Sequence, residues 1–194
     1  DNQIYAYGTG PSQTTVNAPS VGVTTATPIT ITGTVTDISA GSKQEAVAAN
    51  YPNGLPCVSD ASMTQFMESV YMQQPIPHNA TGVPVVLSVI DSNGNYRIIG
   101  TTTSDGTGAY GYTWTPDIPG DYTVIATFTG TASYYGSTAQ THFHASAIPA
   151  TPAPTATPAA SMADTYFVPA IAGLFVLIII VLALIVMMML RKRP

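Results

Sequence analysis

Residues 83–130 read VPVVLSVIDSNGNYRIIGTTTSDGTGAYGYTWTPDIPGDYTVIATFTG. Their punctuation decides the fold. Val85, Leu87 and Val89 alternate with their neighbours, as in a half-buried strand. Asp91-Ser92-Asn93-Gly94-Asn95 then supplies an Asn-Gly turn, the strongest short hairpin signal. A strand returns over 96–103, and Ser104-Asp105-Gly106-Thr107-Gly108 turns again. Residues 109–115 set Tyr110, Tyr112 and Trp114 on one face, 116–120 turn, and 122–129 run back. Strands at this spacing, separated by turn residues, predict an antiparallel sandwich.

The same pattern extends outward. Upstream, residues 12–16 and 28–37 read as strands, the latter with Ile29, Ile31 and Val35 alternating with Thr. Downstream, 137–145 completes the set. Between 39 and 81 the pattern changes. Residues 59–73 read as a helix that Ser59, Asp60 or Ser62 could cap and that Pro75 and Pro77 end. Met63, Phe66, Met67, Val70 and Tyr71 share one face. That stripe is expected to pack on its own domain; a partner-binding groove is the alternative. Without this helical insertion about 90 residues remain, the size of one immunoglobulin-like domain, which residues 12–146 are expected to form.

Asp117-Ile118-Pro119-Gly120-Asp121-Tyr122-Thr123-Val124 has the spacing of a tyrosine corner, in which the Tyr hydroxyl bonds back to the connection before its strand. Asp117, Gly120, Tyr122 and the preceding Trp114 are the expected structural residues. Val124 stands where antibody domains place a cysteine. From Trp114 to Tyr135 the chain resembles cysteine-free bacterial and archaeal immunoglobulin-like domains of surface proteins. Cys57 is the only cysteine, so no intrachain disulfide can form; it is expected to be a small buried apolar residue.

The C-terminal stretch places the domain. From Val168 to Leu190 about 23 apolar residues, at roughly 1.5 Å each, give a helix of roughly 35 Å, enough to span a bilayer. Arg191, Lys192 and Arg193 follow at once and mark a cytoplasmic end. A transmembrane helix is expected over 166–190 and a basic tail over 191–194. All ten acids lie upstream, where Lys43 and Arg97 are the only bases. The expected location is therefore a single-pass cell-membrane protein with its N-terminus outside. The acidic outer part argues against nucleic acid; the implied partners are the lipid bilayer and, beyond it, other surface proteins or glycans. The span has no polar residue and no G-x-x-x-G pairing motif, so it reads as a tether.

Residues 147–165, rich in Pro, Thr and Ala, cannot build a core. They read as an extended stalk rising about 3.1 Å per residue and reaching about 40 to 50 Å, with threonines that suit O-glycans. At the other end the chain opens Asp1-Asn2-Gln3-Ile4-Tyr5-Ala6-Tyr7-Gly8, without Met or signal peptide. This segment, assigned to 1–11, resembles the closing strand of a pyrroloquinoline-quinone-type β-propeller blade. The whole order (strand, Gly-x-Gly-Pro-Ser, immunoglobulin-like domain with helical insertion, stalk, anchor) resembles the C-terminal part of archaeal membrane-anchored propeller proteins. The resemblance implies a missing upstream propeller and carries over no quinone or metal ligand.

Candidate chemistry is sparse. Gly106-Thr107-Gly108-Ala109-Tyr110-Gly111 matches G-x-G-x-x-G, but alternating aromatics follow where a nucleotide site needs a helix, so it reads as a β-turn. His142 and His144 face one side of a strand without an evident third ligand. Asp91, Asn93 and Asn95 form a loop too short for an EF-hand and lacking its later acid. Asn79-Ala80-Thr81 is the single N-glycan sequon. No catalytic residue, cofactor or metal site is assigned. The expected function is a non-catalytic surface module that anchors and presents an upstream domain. The alternative is a stand-alone adhesin or carbohydrate-binding module, for which Tyr110, Tyr112, Tyr134 and Tyr135 would have to form an exposed aromatic row.

Overall fold

The computed structural model describes residues 8–151 and 161–191. The expected propeller strand at 1–7, most of the stalk (152–160) and Lys192 and Arg193 lie outside the described residues. The chain divides into two units, Asp1–Pro149 and Ala150–Pro194.

In the first unit the elements run β1 (Ser12–Thr14), β2 (Ile29–Asp37), α1 (Glu45–Asn50), β3 (Leu55–Pro56), α2 (Met63–Tyr71), β4 (Pro84–Ile90), β5 (Tyr96–Thr103), β6 (Ala109–Trp114), β7 (Gly120–Gly130) and β8 (Tyr135–Ala145). They form two antiparallel sheets. One is built on β2, flanked by β1, β3 and β6; the other has the order β5-β4-β7-β8. This partition is that of an immunoglobulin-like sandwich: strands in the A, B and E positions face those in C, F and G, with β5 added beside β4.

Alternation explains which faces meet. Ile29, Ile31 and Val35 of β2, Val85, Leu87 and Val89 of β4, and Tyr122, Val124, Ala126 and Phe128 of β7 are all buried in one cluster. Register aligns them, since Leu87 pairs with Ala126 and Val89 with Val124. Gly33 interrupts the β2 series for a steric reason. The Tyr110 side chain crosses it and donates its hydroxyl to the Thr15 carbonyl at 2.5 Å. A Cβ at Gly33 would fall on both groups.

The insertion is more than one helix. It holds a 3-10 turn (Ala40–Lys43), α1, β3 and α2. β3 joins the first sheet where β6 leaves off: the Val35 N–H donates to Gly108 O, and Val35 O accepts from the Cys57 N–H on the same edge. The apolar run Leu55–Val58 is therefore sheet edge and core, although its proline hides a strand pattern. Helix α2 is shorter than 59–73 because the expected caps serve elsewhere. The Asp60 carboxylate accepts from the backbone N–H of Ala132 and Ser133, and the Ser59 hydroxyl pairs with Thr81. The Met-rich stripe also splits. Phe66 is buried with Tyr51, Leu55 and Val58 in a second small core, and Met63 and Val70 pack against it. Met67 and Tyr71 flank that line and stay exposed, Tyr71 at 86 %.

The domain has a direction. Gly10 N–H donates to Ser133 O, and Tyr135 N–H donates to Gly10 O, so the chain comes in beside the β7–β8 turn. It leaves β8 at Ala145, which pairs with Gly120 at the far end of β7. The Asp60 clamp ties the insertion to the first of these two ends.

In the second unit α3 spans Met162–Arg191, and Thr165–Arg191 within it is 27 residues of apolar helix, long enough to cross a membrane. It contains both expected ends, Val168 and Leu190. It starts inside the segment read as stalk, because Ser161 to Thr165 close a first helical turn even though the apolar run begins later.

Gly33→Ala should lower the unfolding free energy by about 3 kcal/mol or more, since two backbone-bound groups must shift. Gly111→Ala on β6, where a Cβ meets nothing within 4 Å, should change it by less than about 1 kcal/mol. Paired thermal melts check this.

Candidate functional site

The residues singled out at 114–122 converge at the end of the sandwich where the chain leaves. Tyr122 is buried, stacks on Phe143 with ring centroids 5.3 Å apart, and meets Trp114 edge-on at 5.3 Å. Its hydroxyl accepts from the Ile118 N–H at 3.1 Å and lies 3.0 Å from both Ile118 O and the Asp117 carboxylate, to which it can donate. Gly120 has φ +128°, and a Cβ there would meet Ser92, whose hydroxyl donates to Pro119 O at 3.1 Å. The corner thus binds the 91–95 turn as well as its own strand.

One member of this network escaped the sequence reading. Arg97 on β5 gives both terminal nitrogens to Asp117 and lies over the Trp114 ring at 5.7 Å. The guanidinium holds the Asp117 carboxyl well below the usual carboxylate range, with the Tyr122 hydroxyl assisting. No local sequence pattern links positions 97 and 117, because the pairing depends on β5 reaching across to the corner. The ion pair is half open to water, so its contribution is modest.

The remaining candidates are structural or separate. Asp91 spends one carboxylate oxygen on the N–H groups of Asn93 and Asn95 and so closes its own turn. Asp105 does the same for Thr107 and Ala109 within the G-x-G-x-x-G segment, and β6 follows it as a strand. His142 and His144 sit outward on β8 and pair with Thr123 and Asp121. Among the described residues no three His, Cys, Asp or Glu side chains gather to hold a metal. Cys57 is fully buried, and burial with the nearby Asp37 charge pushes its thiol up to about 12, which leaves it an inert packing residue. The aromatic row does not form: Tyr110 and Tyr134 are core, Tyr112 donates its hydroxyl to Ile99 O, and only Tyr135 is exposed. Strand alternation puts Tyr110 and Tyr112 on one face of β6, and that face is the inner one.

The concave surface lies in the insertion instead. A hollow of about 420 Å³ is walled by the end of β2, the 3-10 turn, α1 and α2, with Asp37, Val47, Leu55, Tyr71 and Gln73 on its lining. Gln73 also lines a second hollow of about 180 Å³, together with Asn50, Tyr51 and Gln74. Tyr51 continues into a third of about 120 Å³. Two features here are costly for the fold. The Tyr51 hydroxyl is buried without a hydrogen-bond partner among the described residues, a penalty of about 1–3 kcal/mol. Gln73 has φ +54° where α2 ends in a Schellman motif, its N–H donating to Val70 O and that of Gln74 to Ser69 O. Glycine is the usual residue at that position. The exposed Met67 and Tyr71 were the sequence signal for this surface.

No family model and no curated protein matches the sequence. Three solved structures share part of its architecture. A tetra-tandem repeat from the extending region of a large adhesion protein is 17 % identical, covering 69 % of this chain and 24 % of its own length, with TM-score 0.39. The PKD domain of an M14-like peptidase from Thermoplasmatales archaeon SCGC AB-540-F20 is 16 % identical over 73 % of this chain and 99 % of its own, with TM-score 0.36. A CARDB domain from Pyrococcus furiosus, in complex with di-metal ions, is 13 % identical over 76 % of this chain and 97 % of its own, with TM-score 0.32. At these scores the fold assignment rests on the strand order itself.

Tyr122→Phe should cost about 1 kcal/mol or somewhat more, the loss of the corner hydroxyl. The Asp117–Arg97 pair predicts a pH effect of defined sign. Because folding lowers the Asp117 value, its contribution is complete above the ordinary carboxylate range, about pH 4 to 5, and fades as pH falls below it. The melting temperature of the parent should therefore drop more steeply from pH 5 to pH 2 than that of Arg97→Gln.

Proposed function

We propose that this chain is a non-catalytic surface module: an immunoglobulin-like spacer, tethered by α3 and the segment before it, that holds an upstream domain away from a membrane. The observation that carries this reading is the direction of the sandwich. The chain comes in beside Ser133 and Tyr135 and goes out beside Gly120, at opposite ends of β7 and β8. Eleven residues of strand separate those ends, about 37 Å at 3.4 Å per residue. A domain threaded this way lengthens whatever joins its two ends, whereas one whose termini lie together merely decorates a chain.

Arg191 closes the apolar helix, and the basic triplet it begins supports a cytoplasmic C-terminus. The upstream domain is a pyrroloquinoline-quinone-type β-propeller of archaeal kind in this reading, supported by the sequence Asp1 to Gly8, which resembles the closing strand of a propeller blade. Asn79 is the glycan acceptor. It is exposed on a turn, and its side chain donates to Gln65 at 3.2 Å.

Membrane topology is tested by labelling intact cells with an impermeant maleimide, since the native Cys57 is buried. A cysteine at the exposed Thr138 should react from outside, and one appended after Pro194 only after permeabilisation. The reverse pattern overturns the orientation. Reading the coding sequence upstream of Asp1 tests the propeller: Tyr-Ala-aromatic strands recurring about every forty residues are expected, and a signal peptide directly before Asp1 overturns it.

A further inference from the structure

We infer that the adjoining hollows of the insertion are a binding site for a neutral saccharide, contacted by Gln73, by the Tyr51 wall and by Tyr71 at the rim. The inference adds a ligand to the spacer reading but does not depend on the membrane tether.

Three observations carry it. First, Tyr51 walls two of the hollows, and edge-on packing against Phe66 at 6.0 Å holds its ring in place, so the surface a ligand meets is preformed. Second, Gln73 occupies the left-handed helix-ending position that glycine fills without strain, and its side chain lines both larger hollows. Strain held at a residue that lines a cavity points to use of that side chain. Third, the lining chemistry is selective. Gln44, Asn50 and Gln74 add primary amides, each both donor and acceptor, which suits the paired hydroxyls of a sugar ring. Asp37 accepts from the Ser39 N–H through Oδ1, leaving Oδ2 for a ligand hydroxyl. No Lys or Arg lines any of the three hollows, so phosphate and carboxylate ligands find no counter-charge there.

Size and position agree. The main hollow lies within the 300–1,000 Å³ typical of small-molecule sites. Tyr71, exposed at its rim, offers a flat ring to the C–H face of a pyranose. The insertion sits at the end of the sandwich opposite the chain's exit, open to ligands from outside.

The test uses the full chain in phospholipid nanodiscs, because detergents with sugar headgroups would compete. Saturation-transfer NMR titrations with mannotriose, maltotriose, N-acetylchitotriose and trigalacturonate should show saturable binding of at least one neutral trisaccharide and weaker binding of the acidic one. Tyr71→Ala should weaken that binding about tenfold. Gln73→Gly should weaken it while melting no lower than the parent, which separates a contact role from a folding role. Absence of saturable binding by every neutral probe, equal binding by both variants, or preference for trigalacturonate would overturn the inference. Maleimide labelling of topology would stand unchanged in each case.

Discussion

The two sheets face each other without a covalent bond between them, so everything in the domain depends on the apolar interface formed by β2, β4 and β7. A disulfide across such a sandwich contributes about 3 to 4 kcal/mol. Here Val124 lies at that level of β7, fully buried between Tyr122 and Ala126. Burying one such side chain contributes about 1.5 to 3 kcal/mol, so a few well-aligned aliphatic residues replace the bridge. The requirement that follows is register. A slip of one residue would turn Val85, Leu87 and Val89 off the inner face and bring Pro84 and Val86 onto it. The Asn-Gly turn and the tyrosine corner hold the register together from one end, where Ile90 pairs with Thr123 and Ser92 meets Gly120 and Pro119.

The corner does a second thing. Tyr122, Asp117, Arg97 and Trp114 form one connected set that draws β5, β6 and β7 together at the end where the chain departs. At the opposite end the Asp60 carboxylate holds the insertion to the β7–β8 turn through three hydrogen bonds. Asp60 thus fastens one end through backbone and hydroxyl donors, and Asp117 the other through the Tyr122 hydroxyl and the Arg97 ion pair. The insertion itself has a small core of four buried residues, enough to keep its shape but not to pair every polar group it buries. The unpaired Tyr51 hydroxyl and the strained Gln73 fall there and not in the main core, whose tyrosines Tyr110 and Tyr122 have partners.

Much of the sandwich was legible in the chain because strands of period two announce their inner faces and Gly, Pro, Asn and Asp mark the turns between them. The alternation at 83–129 placed four of the eight strands nearly to the residue. The corner was readable for a similar reason, since its residues lie within six positions of one another. Arg97 was not, because it reaches Asp117 only after β5 is laid beside β4. The insertion was read least well. Its strand is two residues long and carries a proline, and of its expected helix caps Asp60 is diverted to the β7–β8 turn and Ser59 to Thr81.

By itself the sequence determined that this protein has a disulfide-free β-sandwich, a Pro/Thr-rich segment and one apolar helix long enough to cross a membrane. Each follows from local composition and period, which need no partner elsewhere in the chain. Tertiary structure alone decided which face the aromatic residues occupy, how the chain is threaded from one end of the sandwich to the other, and where the concave surface lies. Those properties arise from contacts between residues distant in sequence, such as Gly10 with Ser133 and Asp60 with Ala132, and no local pattern encodes them.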